Sequence, residues 1–150
     1  MGIRIPLAEL ALVENMLNTI PFMKSVTRAE IQELAYQLTR RTFRKDEIII
    51  KQGEPGTLFY IISKGKVKVV KEKFFKKTQL AELGAGSFFG EMALIEDFPR
   101  TATIVGEEAG EMYTLSHEAF ESVLLNNPQV KELIMHEAED RKKRNQALEA

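Results

Sequence analysis

The 150-residue chain has no cysteine and no tryptophan. Without thiols it can form no disulfide, no thiolate metal centre and no cysteine nucleophile, so packing alone must hold the fold together. Histidine is scarce as well: His117 and His136 are the only two, each on or beside an expected helix. A metal-dependent barrel enzyme needs several histidines and a carboxylate converging on one ion, so no metal and no cofactor are expected. Ser25, Ser63, Ser87, Ser116 and Ser122 lack a nucleophile-elbow context or an evident histidine partner, and the chain reads as a non-enzyme. No apolar run approaches the length of a membrane-spanning helix, and Met1 to Pro6 lack the basic start and apolar stretch of a signal peptide. A cytoplasmic location and no membrane partner are the expectations. With 21 Lys plus Arg against 22 Asp plus Glu, a net charge of -1, no global field draws the chain to nucleic acid. Any anion must be met by a local site.

What is present is ordinary globular material, 44% hydrophobic and 29% charged, in a length that supports one core. A single domain over 1–150 is expected, with helices to about residue 40, sheet over 41–115 and helices again over 116–150. Leu7, Leu10, Ala11, Val13 and Leu17 recur at helical spacing behind Pro6. Thr27-Arg28-Ala29-Glu30 has the form of a capping box, and Ile31, Leu34, Ala35 and Leu38 make the buried stripe of a second helix. After Arg41 the period falls to two. Thr42 to Ile50, Leu58 to Ile62, Val67 to Lys71, Thr78 to Leu83, Thr101 to Val105 and Glu111 to Leu115 read as short strands separated by turns at Gly53-Glu54-Pro55-Gly56, Lys64-Gly65 and Gly106 to Gly110. Lys71 to Lys77 around Phe74-Phe75 reads as a hairpin tip with gatekeeper lysines, the commoner explanation, with contact to a membrane or partner as the alternative. Ser116 can cap a helix broken at Asn126-Asn127-Pro128, and Val130 to Leu148 form a last helix dense in charge. Helices, many strands, then helices suggest a barrel or sandwich.

The informative stretch lies between two of these strands, from Gly84 to Thr103. Gly90 allows close backbone approach, and Glu91 to Ile95 can form one helical turn with outward amides. Pro99 fixes the direction in which Arg100 leaves, so the guanidinium can reach back over that turn with two parallel donors suited to a phosphate. A carboxylate at Glu91 would repel that phosphate and is better employed accepting a hydroxyl. By spacing alone, a Glu91–Arg100 ion pair stapling the loop serves equally well.

Phe89-Gly90-Glu91-Met92-Ala93-Leu94-Ile95 followed by Pro99-Arg100-Thr101-Ala102 resembles the phosphate-binding cassette of the cyclic-nucleotide-binding domain family, and the likeness extends over most of the chain. The resemblance implies a mainly β fold with flanking helices: an eight-stranded antiparallel jelly-roll β-barrel, with the cassette at 89–102 and a C-terminal lid helix. It implies that Arg100, with Gly90, Met92, Thr101 and Ala102, binds the cyclic phosphate, and that Glu91 and Gly90 bind the ribose. Val69, Leu80, Ala81, Phe88, Phe89, Thr101 and Asn145 would surround the base. The ligand is then cAMP or cGMP; the absence of a guanine-selective group at Val69, Leu80 or Ala81 favours cAMP, while Thr101 keeps cGMP open. The remaining charges of Glu139 to Arg144 read as a solvated helix face. The expected role is a regulatory sensor whose C-terminal helix moves on binding and signals to an effector protein or within a homodimer. The alternatives are a ligand-free interaction module of the same fold and a shortened transcription regulator.

Overall fold

The structure is a computed structural model that describes residues 3–95, 98–124 and 127–149, with side chains for all of these except 98, 99 and 145–149. A short strand β1 (Ile3–Arg4) and a 3-10 turn (Leu7–Glu9) lead into α1 (Leu10–Asn18). A second 3-10 turn (Pro21–Met23) precedes α2 (Arg28–Gln37). The capping box forms as the sequence predicts: Glu30 N donates to Thr27 Oγ1 at 3.2 Å, and Thr27 N donates to Glu30 Oε1 at 2.9 Å. The stripe Ile31, Leu34, Ala35 and Leu38 is fully buried.

The sheet follows as β2 (Thr39–Phe43), β3 (Ile48–Ile50), β4 (Pro55–Gly56), β5 (Leu58–Lys73), β6 (Lys76–Leu83), β7 (Phe88–Phe89), β8 (Phe98–Pro99) and β9 (Thr103–Ser116). Two helices close the chain, α3 (His117–Leu124) and α4 (Pro128–Glu149). Ser116 caps α3 through its Oγ, which accepts from Ala119 N at 3.1 Å.

All strand pairs are antiparallel. Among the described residues one sheet runs β1-β2-β9-β5-β6, with β3 also on β9 and β7 also on β5, and β4 pairs β8 separately. The sheet is not closed into a barrel, although the class is the mainly β, helix-flanked one expected. Two predicted interruptions are absent. β5 runs straight through Lys64-Gly65, and β9 runs through Gly106 to Gly110. Register shifts between Ile62 and Val67 absorb the irregularity on both strands. A bulge adds a residue and bends a strand without ending its ladder, so what reads locally as a turn is here a bend in a long paired strand.

Period-two alternation divides the core. Phe59, Ile61, Phe88, Tyr113 and Leu115 join the helical residues Val13, Leu17, Phe22, Leu34, Phe120 and Ile134 in one cluster. Their neighbours Tyr60, Ile62, Phe89 and Met112 turn to the other face and pack with Phe43, Ile50, Val67 and Ile104. Successive strand side chains point to opposite faces, so each of these strands serves both cores. Phe22, Phe59 and Phe88 meet with centroids 5.5 to 5.8 Å apart, the spacing of favourable aromatic pairs.

Candidate functional site

Between β7 and β9 the chain leaves the sheet at Gly90, whose φ of 79° is open to glycine at little cost. It then winds into a 3-10 turn, Glu91–Leu94, fastened by Ala93 N donating to the Gly90 carbonyl at 3.0 Å. His117 Nδ1 donates to the Ala93 carbonyl at 3.1 Å, so the start of α3 holds this turn from below. His117 thus has a packing role that the sequence, reading it as a surface residue, does not show. Among the described residues no group of histidines and carboxylates is arranged to hold a metal ion.

Arg100 is positioned by its backbone first. β8 pairs with β4, Pro55 opposite Pro99 and Gly56 opposite Phe98. The pairing continues as Arg100 N donates to the Glu54 carbonyl at 2.8 Å and Gly53 N donates to the Arg100 carbonyl at 2.7 Å. The side chain then crosses to β5, where Nη2 donates to the Leu58 carbonyl at 2.7 Å. Glycine makes its room: a Cβ at Gly90 would lie 2.8 Å from Arg100 Nη1, and a Cβ at Gly56 would overlap Arg100 Nε. The Gly53 to Gly56 turn is therefore part of the site as well as part of the fold.

The guanidinium is half-buried, and burial pushes its pKa down, while the Tyr60 phenol and the Glu91 carboxylate pull it back. Tyr60, stacked on Phe89 at 4.7 Å, is pushed up by burial and drawn down by the Arg100 charge. Among the described residues no carboxylate lies within ion-pair distance of Arg100. The stapling pair with Glu91 is not formed.

Glu91 is 5% exposed and takes a different partner, Arg141 of α4. Arg141 Nη1 lies 3.3 Å from Glu91 Oε2, its Nη2 donates to the Phe88 carbonyl at 2.5 Å, and its guanidinium lies 4.7 Å from the Phe88 ring centroid. Glu137 supports it from one turn earlier at 3.8 Å. The sequence places Arg141 on a solvated face; the structure fixes it on the cassette.

The other expected site residues divide. Gly90, Glu91 and Arg100 come together, while the Met92 side chain packs against the helical core; Thr101 is exposed and Ala102 half-buried directly after the arginine. Phe89 lies in the cluster with Tyr60, Ile62 and Met112, and half-buried Val69 of β5, whose register partner is Ala81, packs against that cluster. Phe88 points the opposite way, into the helical core under Arg141. Leu80 is buried at the register shift between Val69 and Val70. Asn145 lies in α4, but its side chain is outside the described residues.

The fold is that of the cyclic nucleotide-binding β-sandwich, and comparison with known proteins agrees. The profile of the family described as cyclic nucleotide-binding domain matches residues 40–127. A cAMP-dependent protein kinase regulatory subunit of Mucor circinelloides f. lusitanicus is 36% identical over 111 residues, covering 74% of this chain and 26% of that protein. The solved structure of cAMP-bound PfPKA-R superposes with a TM-score of 0.78 at 26% identity, covering 94% of this chain and 48% of that one. The regulatory subunit of a cAMP-independent protein kinase A from Trypanosoma brucei superposes with a TM-score of 0.75 at 25% identity, covering 88% and 48%. The chain belongs to the cyclic nucleotide-binding domain family. It spans about a quarter of the length of the curated relatives it matches.

Proposed function

We propose that the chain is a regulatory module that binds a cyclic nucleotide, cAMP in preference to cGMP, and passes the signal on through α4. One observation carries this: Arg100 is a half-buried cation with no carboxylate partner among the described residues, held against Gly90 and beside the buried Glu91. An uncompensated charge in such a place is costly, and a phosphate meeting its planar fork relieves that cost with short, charge-assisted hydrogen bonds.

The cyclic phosphate sits against Arg100 and the amides of Gly90, Met92 and Ala102, beside Thr101. The ribose 2'-hydroxyl donates to Glu91. The base lies towards Val69, Leu80, Ala81 and Phe89. Val69, Leu80 and Ala81 are aliphatic and offer guanine no distinguishing hydrogen bond, which supports cAMP. Glu91 is also the residue that Arg141 holds, so ribose binding and the docking of α4 act on one carboxylate. A ligand that changes that contact redistributes α4 between arrangements by its differential affinity for them. The recipient is a separate effector protein or a second copy of the chain, in the cytoplasm, and no catalysis is involved.

A second reading, a ligand-free interaction module, draws on the same contact, since Arg141 already satisfies Glu91, and on the cAMP-independent kinase subunit that shares the fold. Calorimetric titration of nucleotide-free protein with cAMP and cGMP separates the two. Binding at micromolar Kd or tighter, about -8 kcal/mol or better, and stronger for cAMP, supports the receptor. No heat with either nucleotide supports the interaction module.

A further inference from the structure

The hairpin of β5 and β6 ends in two phenylalanines that break local rules. Phe74 and Phe75 have φ of 53° and 64°, and Lys73 pairs directly with Lys76 across them. Positive φ at both central residues marks the type I' hairpin turn, for which Asn-Gly is the favoured sequence and bulky side chains are strained. Like charges directly opposite on a hairpin repel. The two residues are 88% and 100% exposed, so almost no burial within the chain offsets either cost. Local choices that conflict with the fold are expected where function demands them.

The tip is also held firmly. Gln52 donates from Nε2 to the Glu72 carbonyl at 2.9 Å and accepts from Glu72 N at 2.8 Å, which braces the hairpin against the body two residues from the turn. Between positions 71 and 77 there are four lysines and one acid, in a chain whose net charge is -1. Lys73, Lys76 and Lys77 are exposed, and Lys73 Nζ lies 5.8 Å from the Phe74 ring centroid. Gatekeeper lysines account for the charge but not for aromatic residues at two left-handed positions.

We propose that this tip docks on an anionic lipid bilayer, the Phe74 and Phe75 rings entering the interface while Lys73, Lys76 and Lys77 meet the acidic headgroups. Charge complementarity selects this occupant: an apolar point ringed by cations fits a surface that is anionic outside and apolar within. The test is flotation of the 150-residue protein with vesicles of phosphatidylcholine alone or mixed with phosphatidylserine. The expected result is flotation only with phosphatidylserine, weakened by salt. Phe74→Asn with Phe75→Gly gives the favoured turn sequence, so the double variant melts no lower than the wild type yet loses about tenfold or more of its vesicle binding. Lys73→Glu with Lys76→Glu loses it as well. Wild-type protein that stays in solution with phosphatidylserine vesicles overturns the proposal, as does undiminished binding by the phenylalanine double variant.

Discussion

Arg141 of the last helix lies 3.3 Å from Glu91 Oε2 and also donates to the Phe88 carbonyl at 2.5 Å, so one side chain ties α4 to both the turn and the strand of the cassette. Glu91 is buried and Arg141 a quarter exposed. Breaking a buried pair from one side leaves a buried charge, but solvent at Arg141 tempers the loss. Arg141→Met is expected to cost about 1–3 kcal/mol of stability, read by urea denaturation. It is also expected to speed amide exchange in α4 more than in β5. Unchanged exchange in α4 would show that the helix does not depend on this contact.

Gly56→Ala separates site from fold. The atoms an added Cβ would meet belong to the Arg100 guanidinium, a side-chain end that can swing away. The expected result is a melting temperature close to wild type with cyclic nucleotide affinity lowered about tenfold or more, because the arginine is displaced from its place beside Gly90. Gly90→Ala meets Arg100 too, but also the Leu58 carbonyl, and from a φ of 79°. It should lose affinity and, by denaturation, about 1–2 kcal/mol of stability.

Truncating Phe22 tests the helical core beneath the cassette. Its ring meets Phe59 and Phe88 and is 2% exposed. Phe22→Ala is expected to cost about 3–5 kcal/mol in chemical denaturation. A loss under about 1 kcal/mol would mean that the three-ring cluster is not a supporting element.

The alkaline limb of stability carries a signature of the site. Burial raises the Tyr60 and Tyr113 pKa values above their ordinary 10.0. Above pH 10 the unfolded chain therefore releases tyrosine protons that the folded chain retains, and stability falls as pH rises. Below pH 10 the contribution is fully present. Tyr60→Phe should flatten part of that decline. Because the Arg100 charge draws the Tyr60 pKa down, a bound phosphate that neutralises Arg100 should move Tyr60 ionisation to still higher pH, followed by tyrosinate absorbance with and without cAMP. A shift to lower pH on binding would contradict phosphate capture at Arg100.

The elements that formed as the sequence predicts are those decided by near neighbours. Thr27 and Glu30 are three residues apart and cap α2 together; Ser116 caps α3 in the same way. The helical stripe of α2 and the two-residue alternation of β5 are likewise local patterns. Lys64-Gly65 misleads because only the partner strand decides whether glycine ends a strand or bends it, and β9 is there to keep the ladder going. In the cassette, Gly90, Glu91 and Arg100 are legible as a set from their residue types. The clearance that Gly56 gives Arg100 is not, since it depends on the pairing of β4 with β8. Arg141 escapes for the same reason: its spacing from Glu137 is that of an ordinary exposed helix pair, while the contact with Glu91 spans 50 residues.

The most direct test of the central claim is calorimetric titration of Arg100→Ala with cAMP beside the wild type, paired with urea denaturation of both in the absence of nucleotide. A half-buried cation kept for a phosphate predicts that the variant loses about 2–5 kcal/mol of binding while its own stability is unchanged or higher. A variant that binds cAMP as well as the wild type but unfolds more readily would contradict the account, and would make Arg100 a structural residue.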